Sequence, residues 1–433
     1  METEFRARPR LQAGVTRGPI GAVGGGGEQN CPGTRGVPLR VSLSPMFSRR
    51  TPLDFAENPL SQRIAAMRAA GARILDLTES NPTRAGFLAP PELLALLGNP
   101  AGAHYAPDPR GLVSAREAVS LDYTTRGLTV APERLLLTAS SSESYSLLFK
   151  LLTDAGDEVL VPTPSYPLFG YLADLDSVRV RRYPLSFDHE WHLSIDSLRP
   201  LITDRTRAVV VVHPNNPTGS FLKRDEAAAI AGLCASRGVA IIADEVFADF
   251  ALGGDGATRH ASFALDSPAL SFALGGLSKS CALPQLKVGW IAVSGPGALR
   301  DEALRRLEFI ADTYLSVATP SQLALPAILE EKAALQAPIK ARLARNRQAL
   351  RAALPARPEL TLLPTEGGWT ALIQCPATRS DEERALLALE AGVLVHPGHF
   401  FDFESGCYLV VSLLCDPDIF DEALSALLDA AVR

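Results

Sequence analysis

Ala208-Val-Val-Val-Val-His213, running on into Pro-Asn-Asn216-Pro-Thr-Gly219, and Val239-Ala-Ile-Ile-Ala-Asp244-Glu-Val246 bracket a helical stretch from about Arg224 to Arg237. Each apolar run has strand length and falls far short of a membrane span. Unbroken runs of this kind belong to strands covered on both faces. Working outward, the same alternation continues: a strand at Arg134–Thr138, a helix from about Ser142 to Asp154, a strand at Glu158–Val161 and, beyond Asp244, a strand at Leu270–Ala273. Strands alternating with helices predict an α/β fold with a mostly parallel sheet flanked by helices. In such sheets ligands gather just past the carboxyl ends of the strands, so the residues following each strand carry the functional reading.

Those residues are polar. After the first strand comes Thr138-Ala-Ser140-Ser141-Ser142-Glu143, where Ser140 and Glu143 have capping-box spacing. A helix start of this kind is also an anion site, because free N–H groups and the helix dipole point at whatever binds there. After the next strand stands Tyr166 in Pro162-Thr-Pro-Ser-Tyr166. Asn216 follows the third, in a turn fixed by prolines and Gly219, and Asp244 ends the fourth; alone, the first is an ordinary turn residue and the second an ordinary N-cap. The fifth leads into Gly275-Gly276-Leu-Ser278-Lys279. One lysine in a Gly/Ser loop carries no weight. An amine, a carboxylate, an asparagine, an aromatic ring and a serine-rich helix start, all at strand ends of one sheet, are the set that pyridoxal phosphate chemistry needs.

With Asn216-Pro-Thr-Gly219, Asp244-Glu-Val and Ser278-Lys279 followed by Gly289-Trp290 in this order, the chain resembles the class I/II aminotransferases, the pyridoxal-phosphate-dependent family of the aspartate aminotransferase fold. The resemblance covers roughly residues 50–433. It implies a large pyridoxal-phosphate-binding domain over 95–325 and a smaller α+β domain made from both chain ends, with 46–94 joining 326–433. By matching position, Lys279 would carry the cofactor and move the substrate's Cα proton, Asp244 would face the ring nitrogen, Tyr166 would stack on the ring, and Asn216 would bind its 3′-oxygen. Ser140, Ser141, Ser142, Ser278 and Lys287 would hold the phosphate. Tyr105 resembles the tyrosine that reaches the neighbouring subunit's phosphate, which implies a homodimer with shared active sites. Ser80, Asn81, Arg84, Asn216 and Trp369 match substrate-side positions.

Four positions depart from the family pattern. Phe247 stands where a tyrosine usually donates to the 3′-oxygen, Lys287 where an arginine usually binds phosphate, and Gly276 where a serine commonly helps. Val410, in Tyr408-Leu-Val-Val-Ser412, occupies the place of the arginine that usually forks onto the substrate α-carboxylate, and no arginine lies between Arg384 and Arg433. Arg84 is then the candidate substitute cation, or else a solvated loop residue. The implied activity is amino transfer between an amino acid and a 2-oxo acid by a ping-pong route. A lyase, decarboxylase or synthase on the same framework is the alternative, because which bond to Cα breaks depends on its orientation against the ring.

Composition agrees with a small-molecule enzyme. The 433 residues are 47% hydrophobic and 21% charged with a net charge of −6, and they show no basic stripe for nucleic acid and no membrane-spanning run. The six cysteines have neither zinc spacing nor a disulfide pattern, and read as reduced cytoplasmic thiols. Residues 1–45, rich in Gly, Pro and Arg, read as a disordered leader or a misassigned start, with Met46 as the native one.

Overall fold

The computed structural model describes Ser48, Arg50, Thr51 and residues 58–433. The leader over 1–45 and the start at Met46 lie outside the described residues. Short strands β1 (Leu75–Asp76) and β12 (Val393–Leu394) pair in parallel. The central sheet holds β2 (Leu135–Thr138), β3 (Glu158–Thr163), β4 (Arg179–Asp188), β5 (Glu190–Leu193), β6 (Thr206–Val212), β7 (Ala240–Asp244), β8 (Ser271–Gly276) and β9 (Gly289–Ser294). Its order is β2-β9-β8-β7-β6-β3-β4-β5. A second, antiparallel sheet runs β10 (Thr361–Leu362), β11 (Thr370–Gln374), β14 (Tyr408–Ser412), β13 (His396–Pro397).

The parallel centre, β4-β3-β6-β7-β8, follows from the side chains. Residues alternate between the faces of a strand, and here both faces are apolar. Val209, Val211, Ile241, Ala243 and Ala273 enter one core. Ala208, Val210, Ala240, Ile242, Phe272 and Leu274 enter the other. The elements expected from sequence are present, the helix Arg224–Arg237 with the expected ends and the others with ends shifted by at most three residues. Two features of the sheet were not read from it. β9 inserts antiparallel between β2 and β8, and the β4–β5 hairpin extends the far edge, turning at His189 with φ of 59°. The β9 insertion requires glycines: a Cβ on Gly275 would lie 2.4 Å from Trp290 Nε1, and one on Gly289 3.0 Å from Thr138 Oγ1.

A third core joins the antiparallel sheet to the helices Asp381–Glu390 and Pro417–Val432 and takes in Leu60 and Leu77. The helix Lys332–Ala353 spans both regions. At its start Lys332 Nζ bonds Asp122 at 2.8 and 2.9 Å and Asp249 at 3.0 Å, while farther along Asn346 Nδ2 donates to the Leu413 and Cys415 carbonyls. Beside the lysine lies Glu245, whose carboxylate accepts from Ser262 Oγ at 2.7 Å and Phe263 N at 2.8 Å.

Burial pushes the Glu245 carboxyl up to about 7 from 4.5, outweighing those two donors. Because the folded value lies above the unfolded one, its contribution to stability is full below pH 4.5 and is lost as the pH rises through about 7. Glu245→Gln should flatten the pH dependence of unfolding in cofactor-free protein across that window, by roughly 3 kcal/mol at its upper end. Asp244 leaves a residual slope. Parallel denaturant-unfolding profiles for the two proteins would refute this account.

Candidate active site

Because β3, β6, β7 and β8 are parallel, and β2 runs with them across the antiparallel β9, their carboxyl ends share one edge of the sheet. From β2 the chain turns at Ser140 into the helix Ser141–Leu152. Ser140 Oγ accepts from Glu143 N at 3.2 Å, as a cap should. The reciprocal half of the expected capping box differs. Glu143 reaches past Ser140 to the Ala139 N–H and takes a second bond from Ser316 Oγ at 2.7 Å. Ser141 and Ser142 stand half-buried in the first turn.

Tyr145, one turn on, was not identified from sequence. Tyr145, Leu148 and Phe149 form the buried stripe of this helix, and the hydroxyl within that stripe was the available signal. It donates to Asp244 Oδ2 at 3.1 Å, while Asp244 Oδ1 accepts from Val246 N at 3.2 Å. Burial pushes the Asp244 carboxyl up to about 6, against the Val246 N–H, the Tyr145 hydroxyl and the charge of Lys279, all of which pull it down. Burial, and then the charge of Asp244, holds the Tyr145 hydroxyl well above its ordinary range, so it remains a neutral donor.

Lys279 rises from the short helix Leu277–Ser280, where Ser280 Oγ donates back to the Gly276 carbonyl at 2.8 Å. Its Nζ lies 5.5 Å from the ring centre of Phe247 and 5.2 Å from that of Trp369. Those two rings meet edge to face at 5.3 Å, and Phe250 closes on Trp369 from another side at 5.2 Å. The structure therefore brings Lys279, Asp244, Phe247, Trp369 and Tyr145 into one cluster. Asn216 stands just past the end of β6 with its Oδ1 buried and without a hydrogen-bond partner among the described residues. Its neighbour Asn215, also missed, ties the loops together: Nδ2 donates to the Pro164 carbonyl at 3.1 Å and to Thr218 Oγ1 at 2.9 Å. Tyr166 follows that proline, partly buried against the third core.

The remaining candidates sit farther out. Ser278 is half-buried beside Lys279, and Lys287 is exposed at φ of 53°. Asn81 Oδ1 accepts from Thr83 N at 3.0 Å and Thr83 Oγ1 at 2.8 Å, a closed turn. Ser80 is half-buried, and Arg84 Nε pairs with Glu79 at 2.8 Å with half of the arginine side chain exposed. The Glu79 carbonyl accepts from Ser412 Oγ at 2.6 Å, which sets this loop against β14. Val410 is buried on β14, opposite Leu372 and His396. Tyr105 is 77% exposed and outside the cluster. A cleft of about 960 Å³ opens elsewhere, near Trp191, Lys223 and Arg347, and contains none of these residues.

These groups fit pyridoxal phosphate. A buried carboxyl with raised proton affinity is matched by a cationic ring nitrogen, and the helix start by a phosphate.

Comparison with known proteins agrees. The profile of the family "Aminotransferase class I and II" matches residues 74–427. A glutamate–pyruvate aminotransferase of Escherichia coli K12 is 30% identical over 273 residues, 63% of this chain and 67% of that protein. An S-alkyl-thiohydroximate lyase of Arabidopsis thaliana is 31% identical over 234 residues, 53% of this chain and 50% of that one. Among solved structures, an alanine aminotransferase from Pyrococcus furiosus superposes with a TM-score of 0.77 at 23% identity, covering 86% of this chain and 95% of that one. An Escherichia coli aminotransferase superposes with a TM-score of 0.74 at 26% identity, covering 86% and 94%. With its fold, its strand-end cluster and its sequence all in agreement, the chain belongs to the class I and II aminotransferases, which are pyridoxal-phosphate-dependent enzymes.

Proposed function

We propose that this aminotransferase exchanges amino groups between an amino acid and a 2-oxo acid, with L-glutamate, L-alanine and pyruvate as the first substrates to try. The observation that carries the reading is the convergence of Lys279 with buried Asp244 on neighbouring strand ends. The substrates come from the names of the relatives. Bound here, pyridoxal phosphate supplies a carbon that accepts amino groups and a ring that takes up the electron pair of a broken Cα bond. Asp244 gives the ring nitrogen a buried counter-charge. Ser140, Ser141, Ser142, Ser278 and Lys287 hold the phosphate, Tyr166 offers a stacking face, and Asn216 binds the ring oxygen. Phe247 packs without donating. Lys279 is the amine of the cluster and moves the substrate's Cα proton.

The residues around the site also support a division of the chain. We take 95–325 as the large unit and 326–433, with the segment before residue 95, as the small one. Leu93 near one boundary and Leu325 near the other both join a core of the central sheet. The exposed Tyr105, Phe309 and Leu121 suit a homodimer in which Tyr105 reaches its partner's phosphate. Five described cysteines are free and buried, which suits a reducing cytoplasm. A second reading, a lyase, is favoured by the Arabidopsis relative and by Val410 at the family's arginine position. The two separate in a half-reaction: an aminotransferase leaves the amino group on the cofactor, whereas a lyase releases ammonia.

Lys279→Ala should abolish the visible absorbance of the bound cofactor and all turnover; retained activity would refute the assignment. Tyr145→Phe tests a positioning role through Asp244. Removing the donor raises the proton affinity of Asp244, so the acid limb of the pH–rate profile should move up and kcat should fall roughly tenfold. An unmoved acid limb would rule that role out. Sedimentation should give twice the chain mass, and a monomer at micromolar concentration would overturn the shared-site dimer.

A further inference from the structure

Cys375 and Cys407 face one another where the β11–β14 ladder ends. Gln374 and Tyr408 are its last paired residues, and one step on Cys375 N donates to the Cys407 carbonyl at 2.8 Å. Residues opposed in this way place their side chains on one face with Cα atoms about 5.5 Å apart, inside the span of roughly 4.4–6.8 Å that a disulfide bridges. Both side chains are buried, and the Cys375 thiol donates to the Cys407 sulfur. Between them, segment 376–406 carries Phe401 and Asp402, whose carbonyls accept from Ser165 N at 2.9 Å and Thr163 Oγ1 at 2.7 Å. A covalent link at the base of this segment therefore bears on the loop that holds Tyr166.

Arg384 completes the cluster. It is fully buried on the helix Asp381–Glu390, where Nη2 donates to the Pro376 carbonyl at 2.6 Å and to Thr378 Oγ1 at 3.0 Å, and Nη1 to the Ala431 carbonyl. These acceptors are neutral. Asp381, one turn earlier, is turned to His399, accepting from its N at 2.6 Å and pairing with its ring at 3.0 Å. A guanidinium buried among neutral acceptors stabilises an anion beside it. The Cys407 thiol is held below the usual thiol range by the Cys375 S–H and, against burial, by Arg384, while giving that bond and burial push Cys375 far up. Burial alone does the opposite to Cys407's counterparts: Cys234, Cys281 and Cys415, equally enclosed, are each pushed up to about 12.

We infer that Cys375 and Cys407 are a modification site for hydrogen peroxide, which converts this pair of thiols into a cross-strand disulfide. The Cys407 thiolate attacks the peroxide; an S–O bond forms, the O–O bond breaks, and the departing hydroxide takes up the proton that Cys407 has shed. The Cys375 sulfur then displaces hydroxide from the resulting sulfenic acid, the S–S bond forms, and the Cys375 proton leaves with that hydroxide as water. Two thiols and one peroxide give one disulfide and two waters, the sulfurs losing the two electrons that the peroxide gains. Cys407 directly follows the exposed turn 404–406, so local opening of that turn admits a molecule little larger than water.

The test is peptide mapping without reductant of the folded, full-length holoenzyme after hydrogen peroxide at neutral pH, with remaining thiols blocked by N-ethylmaleimide. Peptides containing Cys375 and Cys407 should appear joined, the chain mass should fall by roughly 2 Da, and dithiothreitol should restore both thiols. The pair should be consumed at least about tenfold faster than Cys234, Cys281 and Cys415. Two conservative variants separate the roles: in Cys375→Ser the sulfenic acid stays on Cys407 and is trapped by dimedone, whereas Cys407→Ser leaves Cys375 a thiol. Wild-type protein that keeps both thiols, a link from either to another cysteine, consumption no faster than at the other three, or dimedone on Cys375 in Cys407→Ser would each overturn the inference. The mapping of the wild type decides it even where a variant fails to fold.

Discussion

The constraint on which the molecule depends is that its central strands are buried on both faces. Side chains of β6, β7 and β8 alternate between two apolar cores, so none along their lengths can meet a polar ligand. Polarity is displaced to the strand ends, and parallel pairing gathers those ends on one edge. Asp244 and Lys279 are thus neighbours in space because the strands before them are apolar. The glycines at 275 and 289 serve the same geometry by letting β9 close against β8 and β2.

Burying a carboxylate at such an edge sets its chemistry. Asp244 is drawn up to about 6 by desolvation, and a single hydroxyl, Tyr145, together with one backbone N–H opposes the shift. A cation placed against it restores the charged form. Glu245, its chain neighbour, is driven up to about 7 by the same burial yet turns away to Ser262 and Phe263. Two adjacent carboxyls with similar desolvation therefore serve different ends, one facing the site and one pinning the loop behind it.

Most of the fold was legible because its signals are local. Unbroken valine and isoleucine runs, polar turns and the order of strand and helix need no distant contact to be read. Asp244, Asn216 and Lys279 were legible for a related reason, since each follows a strand. What escaped was nonlocal. β9 takes its antiparallel place through glycine contacts with β2 and β8, and Leu137 and Trp290, paired at a separation of 153 residues, show no hint of that pairing in their own sequence; so too Tyr145 looks like core until Asp244 lies opposite. Glu143 has the spacing of a capping box but finds Ala139 and Ser316, the second of which only tertiary structure supplies.

The departures from the family pattern have separate physical causes. Gly276 is not simply a hydroxyl lost: a Cβ there would lie 3.1 Å from both the Gly289 Cα and the Val288 carbonyl oxygen, so the packing of β8 on β9 disfavours any side chain. Phe247 and Trp369 belong together, since the edge of one ring rests on the face of the other and Lys279 Nζ stands over both. A hydroxyl at 247 would bring water or a donor into that contact. An aromatic wall does the reverse. It lowers the local dielectric, which strengthens the interactions of the charges beside it. Fewer polar groups, each acting in a drier site, are a physical alternative to the denser donor set of the family pattern.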